Sequence, residues 1–354
     1  MNRAVKILLW VGILIMAAVP LLQSQPRFPT NRSVQLTGVN LAGAEFNGKL
    51  DGAELGQHYF YPGPSTVDYY VARGMNVIRL PVLWERLQPQ LQGKLDESEM
   101  ARIDAVIKDS TAKGITVIID VHNYAKYSNA VIGSPQLPPQ ALGDLWKQIA
   151  MRYKDNSLII FGLMNEPVEL RGETWLEAAN IAIENIRRTG AKNLILVPGI
   201  GWTSAHGWMS WKYGTPNSEV MLKVFDPGRN FAYDVHQYFD SDYSGTNPEC
   251  QSTDIGVVAL KVFTQWARYH HKRGFLGEFG AGPNQKCLEA LDNTLNYMAG
   301  NSTVWLGWTY WAGGTGWPED FFSSLEPIEG QDRPQMKVLG RYTRYVPSVR
   351  GDEK

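Results

Sequence analysis

Ile159 to Val168 reads I-I-F-G-L-M-N-E-P-V, an apolar run closed by Asn165-Glu166-Pro167. Its length suits a fully buried parallel strand. A carboxylate at the edge of a core is costly to desolvate, so Glu166 needs a partner or a task there. A second glutamate, Glu278, closes the shorter run Gly274-Phe275-Leu276-Gly277. Two carboxylates flanking one bond are what glycoside hydrolysis requires: one protonates the leaving oxygen, and the other attacks or activates water. Asn40, Arg79, His122, Asn165, His236 and Tyr238 stand at the ends of similar runs, with Trp202 and Trp311 in or near the same places. Large rings there would hold sugars by stacking, although rings also fill cores. The rival chemistry is a metal site, since two histidines and two glutamates could hold zinc in a barrel. The first strand carries no His-x-His pair, and neither metal nor cofactor is expected. No Gly-x-Ser-x-Gly elbow or thiol nucleophile supports an esterase.

These groups meet only if the chain delivers each of them at the same end of one sheet. A first strand ends near Asn40, and further strands are expected at residues 77–81, 115–121, 158–164, 194–197, 231–235, 274–277 and 304–310. Helical stretches fall between them. Residues 65–74 form a short helix stopped by glycine. Asp96 and Glu99 read as a capping box ahead of Met100, Ile103 and Ile107, which line one helical face. Residues 141–153 are helical, and Thr174 with Glu177 reads as a second capping box opening a helix to Arg188. Asp254 can cap a helix running to Arg273; residues 287–298 and 336–345 complete the set. Eight apolar strands, each with a helical stretch after it, argue for an α/β chain folded as a (β/α)8 barrel, with its active site at the C-terminal ends of the strands. An open doubly wound sheet is the alternative, but no Gly-x-Gly-x-x-Gly follows the first strand.

The rest of the composition narrows the possibilities. The chain has 354 residues, with Lys+Arg 34 against Asp+Glu 35, so no basic face for nucleic acid is implied. Residues 1–24 combine a positive start, Asn2-Arg3-Ala4-Val5-Lys6, with an uncharged apolar run from Ile7 to Leu22. This is the pattern of a secretory signal peptide, with an uncleaved N-terminal anchor as the alternative and the only route to a membrane. Residues 25–32, polar with two prolines, suit a short linker before a catalytic domain at 33–350. Two cysteines, Cys250 and Cys287, fit one disulfide behind such a leader, with two buried thiols as the other reading. A bridge closing about 38 residues would contribute roughly 4 kcal/mol on the chain-entropy model.

The ordered set of motifs resembles glycoside hydrolase family 5, the cellulase-type retaining glycosidases. It comprises Arg79-Leu80-Pro81, His122-Asn123-Tyr124, the run ending Asn165-Glu166-Pro167, His236-Gln237-Tyr238, Gly277-Glu278-Phe279-Gly280 and Trp311-Ala312-Gly313-Gly314. Ser241-Asp242-Tyr243-Ser244-Gly245-Thr246 further resembles the endo-β-1,4-glucanases of that family. The resemblance implies a secreted endo-β-1,4-glucanase acting on β-glucan by double displacement, with no obligate protein partner. It implies Glu166 as acid/base and Glu278 as nucleophile. It also implies Asn165 at the sugar 2-hydroxyl, Trp311 as a stacking platform, and substrate contact or support from Asn40, Arg79, His122, Trp202, His236 and Tyr238. In such enzymes cysteines placed like Cys250 and Cys287 are bridged. Trp202, Trp208 and Trp317 are weaker candidates than Trp311; Glu45, Glu169, Glu319 and Glu326 are expected to be solvated or structural. Another β-glycan as substrate, or a non-catalytic sugar-binding barrel, are the competing expectations.

Overall fold

Each apolar run becomes a strand because it can be covered on both faces, by helices outside and by its own neighbours inside. The strands are β1 (Leu36–Leu41), β2 (Val77–Val82), β3 (Thr116–Val121), β4 (Ile159–Gly162), β5 (Ile195–Pro198), β6 (Phe231–His236), β7 (Gly274–Glu278) and β8 (Trp305–Gly313). All pair in parallel, and they close on themselves in the ring order β1-β8-β7-β6-β5-β4-β3-β2. The expected (β/α)8 barrel is therefore present. The computed structural model describes residues 34–48 and 52–343. The leader at 1–24 and the linker at 25–32 lie outside the described residues.

Alternation along the strands sets what the barrel interior contains, because residues i and i+2 share a face. Val77, Ile118, Ile160, Leu196, Ala232 and Phe275 form a small apolar cluster of their own, one residue from each of six strands. Two residues further on, the same columns carry Arg79, Asp120, Gly162, Pro198, Asp234 and Gly277. An apolar plug thus sits beneath a polar layer at the C-terminal end of the barrel.

The covering helices are α1 (Pro64–Val71), α2 (Glu97–Ala112), α3 (Gln140–Tyr153), α4 (Gly172–Arg188), α5 (Asn217–Val220), α6 (Ile255–Tyr269), α7 (Gln285–Gly300) and α8 (Pro334–Leu339). Several ends differ from the sequence expectation. Asp96 does cap α2 by accepting from the Glu99 amide, but the Glu99 carboxylate takes Tyr61 and Arg102 instead of reaching back. The second capping box does not form. Helix α4 starts two residues before Thr174, after Arg171, with no side-chain cap; Thr174 lies in its first turn, where its methyl group packs on Gly133. Asp254 precedes α6 without capping it: its backbone, at φ −112° and ψ 3°, lacks the extended conformation of a capping residue, and its carboxylate accepts from the Ser252 hydroxyl. Helix α8 stops at Leu339, ahead of Gly340, instead of running to 345. After β5 the chain makes a long loop before the single turn of α5, so strict alternation is broken there.

Cys250, in the loop after β6, is bonded to Cys287, in the first turn of α7, with Cα atoms 5.3 Å apart.

Candidate active site

The polar layer is assembled around one guanidinium. Arg79 on β2 is fully buried and donates to Asn40 Oδ1 at 2.8 Å, Glu278 Oε1 at 2.7 Å and Asn165 Oδ1 at 2.8 Å. Nη2, the nitrogen that donates to Asn165, also lies 3.1 Å from Asp120 Oδ1. Such a charge is tolerable in a core only because carboxylates and amides surround it. Asn40 spends its amide nitrogen on the carbonyls of Gly277, Thr309 and Tyr310, so it ties β1 to β7 and β8. Both residues are sealed from solvent, and their contacts orient other site groups.

Glu278 closes β7. Its Oε2 accepts from the Tyr238 hydroxyl at 3.0 Å and lies 3.6 Å from His236 Nδ1. Glu166 follows β4 with a left-handed backbone, φ 42°, a conformation that non-glycine residues rarely adopt and that clusters at functional sites. Its Oε1 is 2.8 Å from the same His236 nitrogen. One oxygen of each glutamate and this nitrogen all lie within 4.8 Å of one another. His122 accepts from the Asn165 amide on one ring nitrogen, faces Asp120 at 2.8 Å with the other, and stacks on Trp311 with centroids 5.5 Å apart.

The two glutamates are pushed apart electrostatically. For Glu278, burial alone would raise the pKa, but the charges of His236 and then Arg79 overcome it and bring it to about 2. Glu166 moves the other way: burial and the charge of Glu278 raise it, against the His236 hydrogen bond. Burial opposes charge on His236, yet Glu278, Asp234 and Glu166 raise its pKa to about 10. His122 is also raised, burial being outweighed by Asp120 and then Glu278. The two neighbouring carboxyls are thus biased in opposite directions, Glu278 towards the ionised form and Glu166 towards the protonated one, the combination that assigns acid and nucleophile roles in two-carboxylate sites.

A cleft of about 800 Å³ opens above them. It is lined by the rings of Tyr124, Trp311, Trp317, Trp202, His206 and Tyr243. Trp202 is 44% exposed at the rim, with its edge against Tyr213. His206 and Tyr243 stack face to face, with centroids 3.9 Å apart. Trp208 is not part of the cleft: it is fully buried among Tyr233, Phe263 and Trp266. Glu169 is an exposed partner of Lys126, and Glu326 binds Tyr70 and the Gly314 amide. The structure thus brings Asn40, Arg79, His122, Asn165, Glu166, His236, Tyr238, Glu278 and Trp311 together, with Trp202 at the margin. Sequence reasoning missed Asp120, Asp234, Tyr124, His206 and Tyr243. The two aspartates carried a readable signal, since each sits two residues before a site histidine on the same face of its strand.

The profile of the family described as "Cellulase (glycosyl hydrolase family 5)" matches residues 30–314. An endo-β-1,4-glucanase B of Aspergillus niger is 37% identical over 294 residues, 83% of this chain and 85% of that protein. The chain is also similar to a crystal structure of the endo-β-1,4-glucanase of Xanthomonas axonopodis pv. citri carrying three substitutions. That similarity has 46% identity and a TM-score of 0.87, over 88% of this chain and 99% of the other. A structure of XacCel5A in complex with cellopentaose matches with 46% identity and a TM-score of 0.86, over 87% of this chain and 99% of that one.

Proposed function

The chain belongs to glycosyl hydrolase family 5 and is a glycoside hydrolase, and from that premise we propose that it cleaves internal β-1,4-glucosidic bonds of glucan chains with retention of configuration. Glu278, ionised and held by Arg79 and Tyr238, attacks the anomeric carbon while Glu166 gives its proton to the departing glycosidic oxygen. The glycosidic bond breaks and an ester of Glu278 forms. Glu166, now a carboxylate, takes a proton from water as the water oxygen attacks the same carbon, and Glu278 leaves as a carboxylate. Asn165, fixed between Arg79 and His122, is the group for the sugar 2-hydroxyl, and Trp311 the platform beneath the reacting ring. No step needs a cofactor.

The observation that carries this reading is the closeness of the two carboxyls. Oxygens within 4.8 Å of each other fit the ~5–5.5 Å spacing of double displacement and fall short of the ~6.5–9.5 Å separation of inverting carboxyls. A cellopentaose complex of a relative of the same fold supports a β-1,4-glucan as the substrate. Secretion belongs to the same reading and is supported by the signal-like pattern of residues 1–24.

The test is to trap the ester. A 2-deoxy-2-fluoro-β-cellobioside with a dinitrophenolate leaving group should label the enzyme once, and peptide mass mapping should locate the label on Glu278. A label on another residue, or product released with inverted configuration, would reject the mechanism.

A further inference from the structure

Asp234 is a buried carboxylate for which the reaction above has no task. It lies on β6 two residues before His236, so the two side chains share the inner face of the strand. Its Oδ2 is 3.8 Å from Nε2 of His236. Its Oδ1 and that same Nε2 have no hydrogen-bond partner among the described residues. Gly277 on the neighbouring strand makes the space: a Cβ there would fall 2.2 Å from Asp234 Oδ1. An ionised carboxylate so poorly hydrogen-bonded is costly to bury unless an opposite charge faces it, and the His236 ring does. Across that ring, Nδ1 meets both glutamates, at 2.8 Å from Glu166 and 3.6 Å from Glu278.

We propose that Asp234 is a positioning residue that keeps His236 an imidazolium throughout the reaction, so that one fixed cation serves whichever glutamate is ionised. The proposal rests on the double-displacement reading. The groups around His236 are Asp234 on its own strand, Glu166 after β4, Glu278 on β7 and the neutral phenol of Tyr238, with Arg79 on β2 and Asp120 and His122 from β3 behind them. In the free enzyme, with Glu166 protonated, the cations Arg79 and His236 face the carboxylates of Asp120, Asp234 and Glu278, while His122, accepting from the Asn165 amide, is neutral. In the glycosyl-enzyme Glu278 is a neutral ester and Glu166 has lost its proton, so Glu166 replaces Glu278 and the balance is unchanged. The buried cluster therefore goes through both half-reactions without gaining net charge. The upward shift of His236 to about 10, against the pull of burial, supports this arrangement.

The experiment is the pH dependence of kcat/KM for the wild type and Asp234→Asn, with imidazole nitrogen chemical shifts recorded on histidine-labelled protein and His236 assigned by its own substitution. The asparagine keeps the shape and removes the charge. His236 should then lose its proton near neutral pH. Both glutamates lose their cation, and both limbs of the profile should move to higher pH by about one unit or more. If His236 stayed charged without Asp234, removal of a negative charge would instead pull both limbs down. A downward shift, or none, overturns the proposal, and a role confined to folding would move neither limb. Should the variant fail to fold, the wild-type ring decides: it should remain an imidazolium from about pH 6 to 9, and a neutral ring at about pH 7 refutes the inference. Trapping of the wild type on Glu278 does not depend on Asp234. A label there without a limb shift defeats only this proposal, whereas a label elsewhere defeats the mechanism beneath it.

Discussion

Two glutamates of the same chemical type have their pKa values pushed in opposite directions here because their neighbours differ. Glu278 faces a buried guanidinium, a phenol and an imidazolium; Glu166 faces only the imidazolium and lies nearer solvent. A third carboxyl shows what burial does without such partners. Glu45, in the loop after β1, accepts from the Gly43 amide on one oxygen and has no partner on the other. Burial raises its pKa to about 7. A folded-state pKa above the unfolded value means that the neutral form favours folding. The contribution is whole below about pH 4.5 and is lost as pH rises through about 7. Glu45→Gln should therefore leave the melting temperature almost unchanged at about pH 4 and raise it at about pH 8, and an equal shift at both pH values would contradict this assignment. At this scale the site was largely legible in the sequence, because a polar residue closing an apolar strand is conspicuous. Asp120 and Asp234 were not singled out because they lie inside their strands, where each reads as a break in an apolar run. Only the two-residue spacing to His122 and His236 gives them away.

The elements were legible wherever burial alone decides them. All eight strands fall where continuous apolar runs predict, since a barrel strand is covered on both faces whatever its neighbours are. Helix ends were less legible. Asp96 caps as expected because nothing competes for its carboxylate beyond Ser98 in the same turn. Thr174 does not cap, because the helix begins two residues before it, after Arg171; its methyl group packs on Gly133, a tertiary contact that no local pattern encodes. The loop after β6 is folded onto itself by one carboxylate. Asp240 accepts from the amides of Gly245, Thr246 and Asn247 and from the Ser244 hydroxyl, and this shapes the segment that carries Tyr243 to the cleft. The Cys250–Cys287 bond pins the far end of that loop to α7. In protein recovered from the culture medium a thiol reagent should find no free cysteine, and Cys250→Ser should lose at most roughly 4 kcal/mol of stability. Two reactive thiols in native secreted protein would contradict the pairing, and absence of the protein from the medium would contradict secretion.

Barrel closure gives these local facts their chemistry. Strands β4 and β7 stand three places apart in a ring of eight, so their C-terminal residues approach one bond from different directions. The apolar plug beneath them leaves the polar layer as the floor of the cleft, and the loops after β3, β5, β6 and β8 build its walls. The sequence announced the barrel through strand spacing. It could not announce the cleft, because Trp202, His206, Tyr243 and Trp317 lie on loops whose shape is set by contacts across the whole molecule. The central claim is that Glu166 and Glu278 address the sugar from these two directions, one as proton donor and base, the other as nucleophile. Its most direct measurement is the anomeric outcome of azide rescue with a dinitrophenyl cellobioside. In Glu166→Ala the first step survives, because this leaving group departs without a proton, and azide needs no base; the product should be the β-glycosyl azide. In Glu278→Ala azide should enter from the vacated face and give the α-glycosyl azide. Opposite anomers from the two variants would reverse the roles. Activity on natural glucan reduced by less than about tenfold in both, against the ~10²–10⁴ expected from a general acid alone, would place the active site elsewhere.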